Sequence, residues 1–192
     1  MSSHLPLLRL FGATFCLLLA GLGATTSRAE EPTDSHVTES FINAPIAEVW
    51  RIFTTSDGFK VTGAAQADVD LRIGGVIRSR DDAKGSLGDT ETLVSEILAY
   101  EPQRMLALRT QQAPASFPHK NAVPGTWTVI HFTPSGEDMT HVRIVDLGYN
   151  ETADSRALRS FFAERHRAIL DHVAKRYWPK CKLCAAEPAT TE

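Results

Sequence analysis

The sequence predicts one α+β domain in which helices cover one side of an antiparallel sheet. Within residues 36–178, a strand-like segment and a short amphipathic helix come first, six strand-like segments follow, and the longest helical stretch comes last. Strands joined by short turns pair antiparallel. Helices with one apolar face then bury that face against the sheet.

The first two elements are a strand at 36–42 and a helix that begins near Pro45. Proline suits the first turn of a helix, because its missing N–H leaves no hydrogen bond unmade there. Apolar residues then recur at helical spacing, which places on one face Ile46, Val49, Trp50 and Phe53. The aromatic residues at this spacing are interpreted as ordinary core.

Six further strands are predicted where apolar and polar residues alternate between turn signals. They lie near 66–72, 75–80, 91–100, 104–110, 126–133 and 139–148. A loop at 111–125, with three prolines, precedes the last two strands. Its length is typical of a functional lid or of a mobile segment.

The last two strands form a predicted hairpin that carries most of the candidate site residues. A turn centred on Gly136 would place Ile130 opposite Val142 and His131 opposite His141. The mostly apolar face, which we assign to the interior, then holds Thr128, Ile130, Phe132, Val142, Ile144 and Asp146.

The longest helix is predicted over residues 154–178, with candidate caps at Thr152 and Asp154 and an end at Pro179. Its apolar face consists of Leu158, Phe162, Ile169, Val173 and Tyr177. Arg165 and His166 flank this face, so either side chain could reach Asp146. A carboxylate buried without a partner would be costly, and it must find a donor or raise its pKa.

Four segments, at 41–50, 70–75, 97–108 and 140–149, carry a family resemblance. Their order and spacing resemble the START/SRPBCC superfamily, and in particular the branch similar to the C-terminal domain of the Hsp90-ATPase activator. The resemblance covers nearly all of residues 36–178. It implies a helix-grip fold, in which a curved antiparallel sheet wraps around the long C-terminal helix. It also implies a cavity between sheet and helix that often holds a lipid or another apolar molecule.

Members of this superfamily include lipid and sterol carriers, polyketide cyclases and subunits of ring hydroxylases. The chain departs from the branch in two respects, namely an export signal and Asp146 at a position where histidine is frequent. Export argues against a chaperone role, because the cytosolic partner and its ATP are missing outside the cytoplasm.

The N-terminus has the three parts of a secretory signal peptide. Arg9 supplies a positive charge, residues 10–24 are mostly apolar, and small residues stand at −3 and −1 before a cleavage site after Ala29. The apolar stretch is shorter than the roughly 20 residues that span a bilayer. We therefore expect a periplasmic or secreted protein without stable membrane insertion, with a flexible segment at 30–35 before the domain.

The charge of the mature chain argues against a nucleic-acid partner. Removal of residues 1–29 leaves 18 basic and 23 acidic residues, a net charge of −5. Proteins that bind nucleic acid carry basic patches.

Two cysteines, Cys181 and Cys184, lie in the tail at 179–192. In an oxidising compartment we expect a disulfide, within one chain or between chains. Metal binding and redox catalysis are alternatives, but a reactive motif of this spacing opens a helix, and this one follows a helix.

No metal or cofactor is predicted. His131 and His141 would be two ligands where zinc takes three or four. The sequence also lacks a glycine-rich phosphate loop with a following helix.

These features predict an exported protein that holds a small hydrophobic or amphipathic molecule between sheet and helix. The expected lining residues are Ile130, Phe132, Val142, Ile144, Asp146, Phe162, Arg165, His166 and Ile169. One alternative is a cofactor-free enzyme of the cyclase or dehydratase type, with Asp146 and His166 as acid and base. Another is a protein-interaction module whose cavity is filled by side chains.

Overall fold

The computed structural model describes residues 34–178. Its helices and strands are β1 (Ser35–Ile42), α1 (Ile46–Thr54), α2 (Ser56–Phe59), β2 (Gln66–Val69), β3 (Val76–Arg80), β4 (Leu93–Glu101), β5 (Met105–Gln112), β6 (Trp127–Pro134), β7 (Thr140–Leu147) and α3 (Ala153–Tyr177). Single 3-10 turns cover Lys60–Thr62 and Lys120–Ala122.

The seven strands form one antiparallel sheet in the order β1-β7-β6-β5-β4-β3-β2. The first strand therefore pairs with the last, and β2 lies at the opposite edge. The β4–β5 pairing shifts register twice, between Val94 and Ser95 and between Ile97 and Ala99, and such irregularities bend a sheet. Helix α3 packs against β1 and β7. The predicted α+β class and the helix-grip fold, a curved sheet around the long C-terminal helix, are confirmed.

The predicted helices and strands are present, and the observed bounds differ from the predicted ones only at the ends of the elements. The strand predicted at 66–72 ends at Val69, because the following residues turn back on themselves. There the amide of Arg72 donates to the carbonyl of Asp70, and the amide of Gly75 donates to that of Arg72. The alternation of polar and apolar residues cannot reveal this turn, because the turn residues continue the same alternation as the strand.

The β6–β7 hairpin differs from its predicted register. Ile130 pairs with Ile144 rather than with Val142, and His131 pairs with Arg143 rather than with His141. The turn occupies residues 135–139, where the amide of Ser135 donates to the carbonyl of Met139 over 2.8 Å. It is therefore not centred on Gly136. Because the shift amounts to two residues, each side chain keeps its predicted face.

The core lies between α1, α3 and the concave face of the sheet. Trp50 and Phe53 of α1 pack edge-on against Phe132, with ring centroids 5.3 and 5.5 Å apart. The predicted apolar face of α3 needs one correction, since Leu170 is fully buried whereas Ile169 is only partly buried. The long helix begins as expected at Thr152, whose side chain accepts a hydrogen bond from the amide of Ser155.

Among residues 34–178, no helix combines the length and the apolar content that crossing a bilayer requires. The proposed signal peptide at 1–29 and the pair Cys181 and Cys184 lie outside the described residues.

Candidate functional site

A cavity of about 120 Å³ lies between the sheet and α3, and we call it the inner cavity. Its wall is mostly apolar and includes Phe53, Leu108, Ile130, Ile144, Phe162 and Ile169. Polar side chains also line it, among them Thr128 and Asp146 of the hairpin, Tyr149 just after β7, and Arg165 and His166 of α3. An apolar wall with a few placed polar groups is typical of small-molecule sites.

Seven of the nine residues predicted to contact a ligand line the inner cavity: Ile130, Ile144, Asp146, Phe162, Arg165, His166 and Ile169. Phe132 and Val142 are on the same face of the hairpin but belong to the packed core. At their end of the hairpin, α1 covers the sheet and Phe132 contacts its aromatic residues. The pattern of alternation identifies a face, but it does not show which part of that face a helix fills.

Asp146 is the most deeply buried polar group of the inner cavity, with 2% of its surface exposed. Thr128 lies opposite it on β6, and its hydroxyl donates to Asp146 Oδ1 over 2.7 Å. Nδ1 of His166, on α3, lies 2.8 Å from the other carboxylate oxygen. A buried carboxylate requires partners of this kind, because an unsatisfied charge in the interior is strongly unfavourable.

His166 is held in one orientation by two neighbours. Asp146 binds its Nδ1, and the ring of Phe162, one helical turn earlier, stacks on it at 5.5 Å with an angle of 18° between the planes. With Nδ1–H donated to the carboxylate, Nε2 is the ring nitrogen that can accept from a bound molecule. The sequence left open whether Arg165 or His166 reaches Asp146, and the structure places His166 there.

Arg165 points elsewhere. Its guanidinium donates to Asp81, on the loop after β3, over 2.7 Å, and both side chains are partly exposed. Arg165 lines the inner cavity, but its ion pair connects α3 to the rim rather than to Asp146.

Tyr149 is a cavity residue that the sequence analysis did not single out. It follows Gly148 directly after β7, and its amide donates to the carbonyl of Asp34 over 3.1 Å. The residue is 6% exposed, and its hydroxyl is buried with no hydrogen-bond partner among residues 34–178. Burial above all, with the nearby charge of Asp146, raises the pKa of Tyr149 far above its ordinary value. The only sequence signal was an aromatic residue just after the inward-facing Asp146.

His36 of β1 is a second residue near Asp146 that the sequence analysis did not single out. It pairs across β1 and β7 with Asp146. Burial chiefly lowers the pKa of His36, and the nearby side chains of Arg159, His166 and Arg167 add to this, while the Asp146 charge opposes it. Its pairing with β7 could not be foreseen, because β1 and β7 are about 100 residues apart in the sequence.

A second cavity of about 370 Å³, the outer cavity, shares part of its wall with the inner one. The shared residues are Ser79, Leu93, Thr110, Phe162 and Arg165. The loop predicted at 111–125 forms much of the remaining wall, and its Phe117 packs on Phe161 with ring centroids 4.8 Å apart. The two cavities together therefore extend from Asp146 to this loop.

The two histidines considered for a metal do not form a pair. His141 stacks on Phe41 with centroids 4.7 Å apart, whereas His131 lies opposite Arg143. In the described part of the chain, no group of three or more His, Cys, Asp or Glu side chains is placed to hold a metal ion.

Residues 43–176 match the family described as Activator of Hsp90 ATPase homolog 1-like protein. This match spans well over half of the sequence. The chain belongs to this family. No curated protein matches the sequence.

Solved structures share the fold of this Hsp90-activator-like family member. A protein of Mesorhizobium loti, MLL2253, is 20% identical, with a TM-score of 0.57 over 73% of this chain and 94% of the other. The Aha1 dimer from Colwellia psychrerythraea is 18% identical, with a TM-score of 0.54 over 73% of this chain and 96% of the other.

A third similar structure is BexL, described as a di-domain ARO/CYC protein from the BE-7585A biosynthetic pathway. It is 14% identical, with a TM-score of 0.58 over 73% of this chain and 45% of the other. At these identities the likeness establishes the fold. Together with the family match, it confirms the resemblance to the START/SRPBCC superfamily and its Hsp90-activator-like branch.

Proposed function

We propose that this chain is an exported protein that binds a small hydrophobic or amphipathic molecule between the sheet and helix α3. The observation that carries the proposal is the inner cavity, whose mostly apolar wall contains a buried carboxylate, Asp146, held by hydrogen bonds to Thr128 and His166. Such a group orients a ligand, while the apolar wall supplies most of the binding free energy.

The volumes of the two cavities indicate how a ligand would lie. The inner cavity, at about 120 Å³, is somewhat smaller than an engineered cavity of about 150 Å³ that binds benzene, so it suits a compact group no larger than a benzene ring. The outer cavity adds about 370 Å³ toward the loop. A ligand would therefore place its compact end near Asp146 and extend past Phe162, which borders both spaces.

The polar groups of the inner cavity support an uncharged or weakly polar ligand end. Asp146 is already satisfied by Thr128 and His166, so the site offers directional hydrogen bonds without an unpaired cation. Export is supported by the signal features of residues 1–29. Outside the cytoplasm, the protein would act without ATP.

The proposal is tested by extracting small molecules from protein purified from its native compartment and identifying them by mass spectrometry. We expect one class of apolar or amphipathic molecule at a constant ratio to protein. Ser95→Met, which adds volume to the cavity wall, should reduce this ratio several-fold.

Glu96→Met changes the next residue of β4, which the lining of neither cavity includes, and is the matched control. Equal loading of both variants, or no bound molecule in the wild type, would contradict the proposal.

A second candidate function, acid–base catalysis on the bound molecule, is favoured by the hydrogen bond between Asp146 and His166. The carboxylate fixes the imidazole tautomer, and the neutral ring can then take a proton through Nε2. Conversion of the co-purified molecule by the protein alone, without added cofactor, would support this function. An unchanged molecule after prolonged incubation would favour a carrier.

A further inference from the structure

The hydroxyl of Tyr149 has no hydrogen-bond partner among residues 34–178, although the side chain borders the inner cavity. Native structures pair nearly all buried polar groups, and one left unpaired costs free energy. Because burial keeps this phenol protonated, it is a donor that requires an acceptor.

Neighbouring groups of the protein do not supply that acceptor. Each oxygen of Asp146 accepts one hydrogen bond, from Thr128 or from His166, and neither oxygen accepts one from Tyr149. Nδ1 of His166 is engaged by the same carboxylate, and its Nε2 does not accept a hydrogen bond from Tyr149. A molecule in the inner cavity is therefore the natural source of a partner for Tyr149.

The charge near Tyr149 restricts what that partner can be. Asp146 is close enough to disfavour ionisation of the phenol, and it would repel an anionic ligand group for the same reason. The charge of Arg159 acts in the opposite sense, but its effect on the phenol is smaller than that of Asp146. Arg165 is already paired with Asp81. A neutral acceptor fits these surroundings better than a carboxylate or a phosphate.

We propose that the bound molecule carries a neutral carbonyl oxygen, as in a ketone, ester or amide, and that the Tyr149 hydroxyl donates a hydrogen bond to it. This inference rests on the proposed binding function and specifies its ligand class. It assigns Tyr149 as the residue that recognises the polar end of the ligand.

Three probes of similar size test the inference: acetophenone, which has a carbonyl, ethylbenzene, which lacks it, and benzoate, which is anionic. Each is titrated calorimetrically into wild type and Tyr149→Phe. We expect the variant to lose about tenfold in affinity for acetophenone, equivalent to about 1.4 kcal/mol. Its affinity for ethylbenzene should stay the same. Benzoate should bind wild type more weakly than acetophenone does.

Stability and a control variant separate recognition from damage. Because Tyr149→Phe removes an unpaired buried hydroxyl, its melting temperature should equal or exceed that of wild type. Tyr100→Phe removes a hydroxyl from a half-buried tyrosine that packs near Trp50 outside the cavity wall. It should change the affinity for neither acetophenone nor ethylbenzene.

Equal affinities of the variant and wild type for acetophenone would overturn the inference and leave the binding function standing. A loss of the same size for ethylbenzene would also overturn the inference, since the hydroxyl would then contribute to packing or bind a water molecule. If none of the probes binds wild type, the proposed binding function fails, and the inference fails with it.

Discussion

At the scale of single residues, Asp146 sets the chemistry of the inner cavity. Its side chain is almost fully buried, and its two oxygens join β6 to α3 through Thr128 and His166. A hydrogen bond to a charged group contributes about 1.5–3 kcal/mol. Replacing this residue should therefore lower stability, and under the proposed function it should also change ligand orientation or proton transfer.

Asp146→Asn and His166→Gln distinguish the two candidate functions. If the protein is an enzyme, turnover should collapse in both variants while ligand affinity stays within a few-fold. If it is a carrier, affinity should shift and no catalytic step is lost. Asp57→Asn, which changes an exposed carboxylate paired with Lys60, is the control for loss of charge. Unchanged affinity, activity and stability in both cavity variants would show that the polar end of the ligand lies elsewhere.

His36 gives the residue-scale prediction on pH. Its pKa is lower in the folded protein than the ordinary value of 6.5, chiefly through burial. The unfolded chain therefore takes up a proton first as the pH falls, and stability is lost below about pH 6.5. Urea unfolding at pH 7.5 and 5.5 should show a smaller difference for His36→Gln than for wild type. His172→Gln, at an exposed position on α3, should retain the wild-type difference. An equal pH dependence of His36→Gln and wild type would refute this role.

At the scale of elements, the turn after β7 fixes the position of Tyr149. Gly148 has a φ of +87°, and a Cβ there would lie 2.1 Å from the carbonyl oxygen of Gly125. The close approach of these two backbones holds the end of β7 against the start of β6, where Trp127 borders the cavity.

Gly148→Ala should destabilise the protein by more than the roughly 1–2 kcal/mol that a left-handed backbone costs a residue with a Cβ, because the backbone must also move. Gly136→Ala is the matched control, since it has a φ of +103° and open space around the added methyl group. Chemical unfolding should rank Gly148→Ala as clearly the less stable of the two. Equal losses would mean that the contact with Gly125 adds nothing.

At the scale of the whole molecule, the proposed export determines which part of the sequence remains in the mature protein. Mass spectrometry or N-terminal sequencing of exported protein should find Glu30 as the first residue. The signal segment does not overlap with β1, which begins at Ser35, so its removal should leave the domain intact. Recovery of a chain that still begins at Met1 would contradict the signal-peptide prediction.

The sequence by itself determined the order of the elements and the inward face of each. Alternation along β7 correctly placed Val142, Ile144 and Asp146 inward, and helical spacing placed His166 beside the apolar face of α3. These patterns are local, because backbone geometry fixes the period of a strand at two and that of a helix at 3.6. The family resemblance added the way in which sheet and helix pack.

Only the tertiary structure decided the hairpin register, the depth of the cavity and the partners of its polar groups. The turn at 135–139 changed the neighbours of Ile130, and α1 filled the end of the face that holds Phe132. The unpaired hydroxyl of Tyr149 and the environment of His36 also depend on segments far apart in sequence. Hydrogen bonding and burial depend on distances in space, and no local pattern of residue types records those distances.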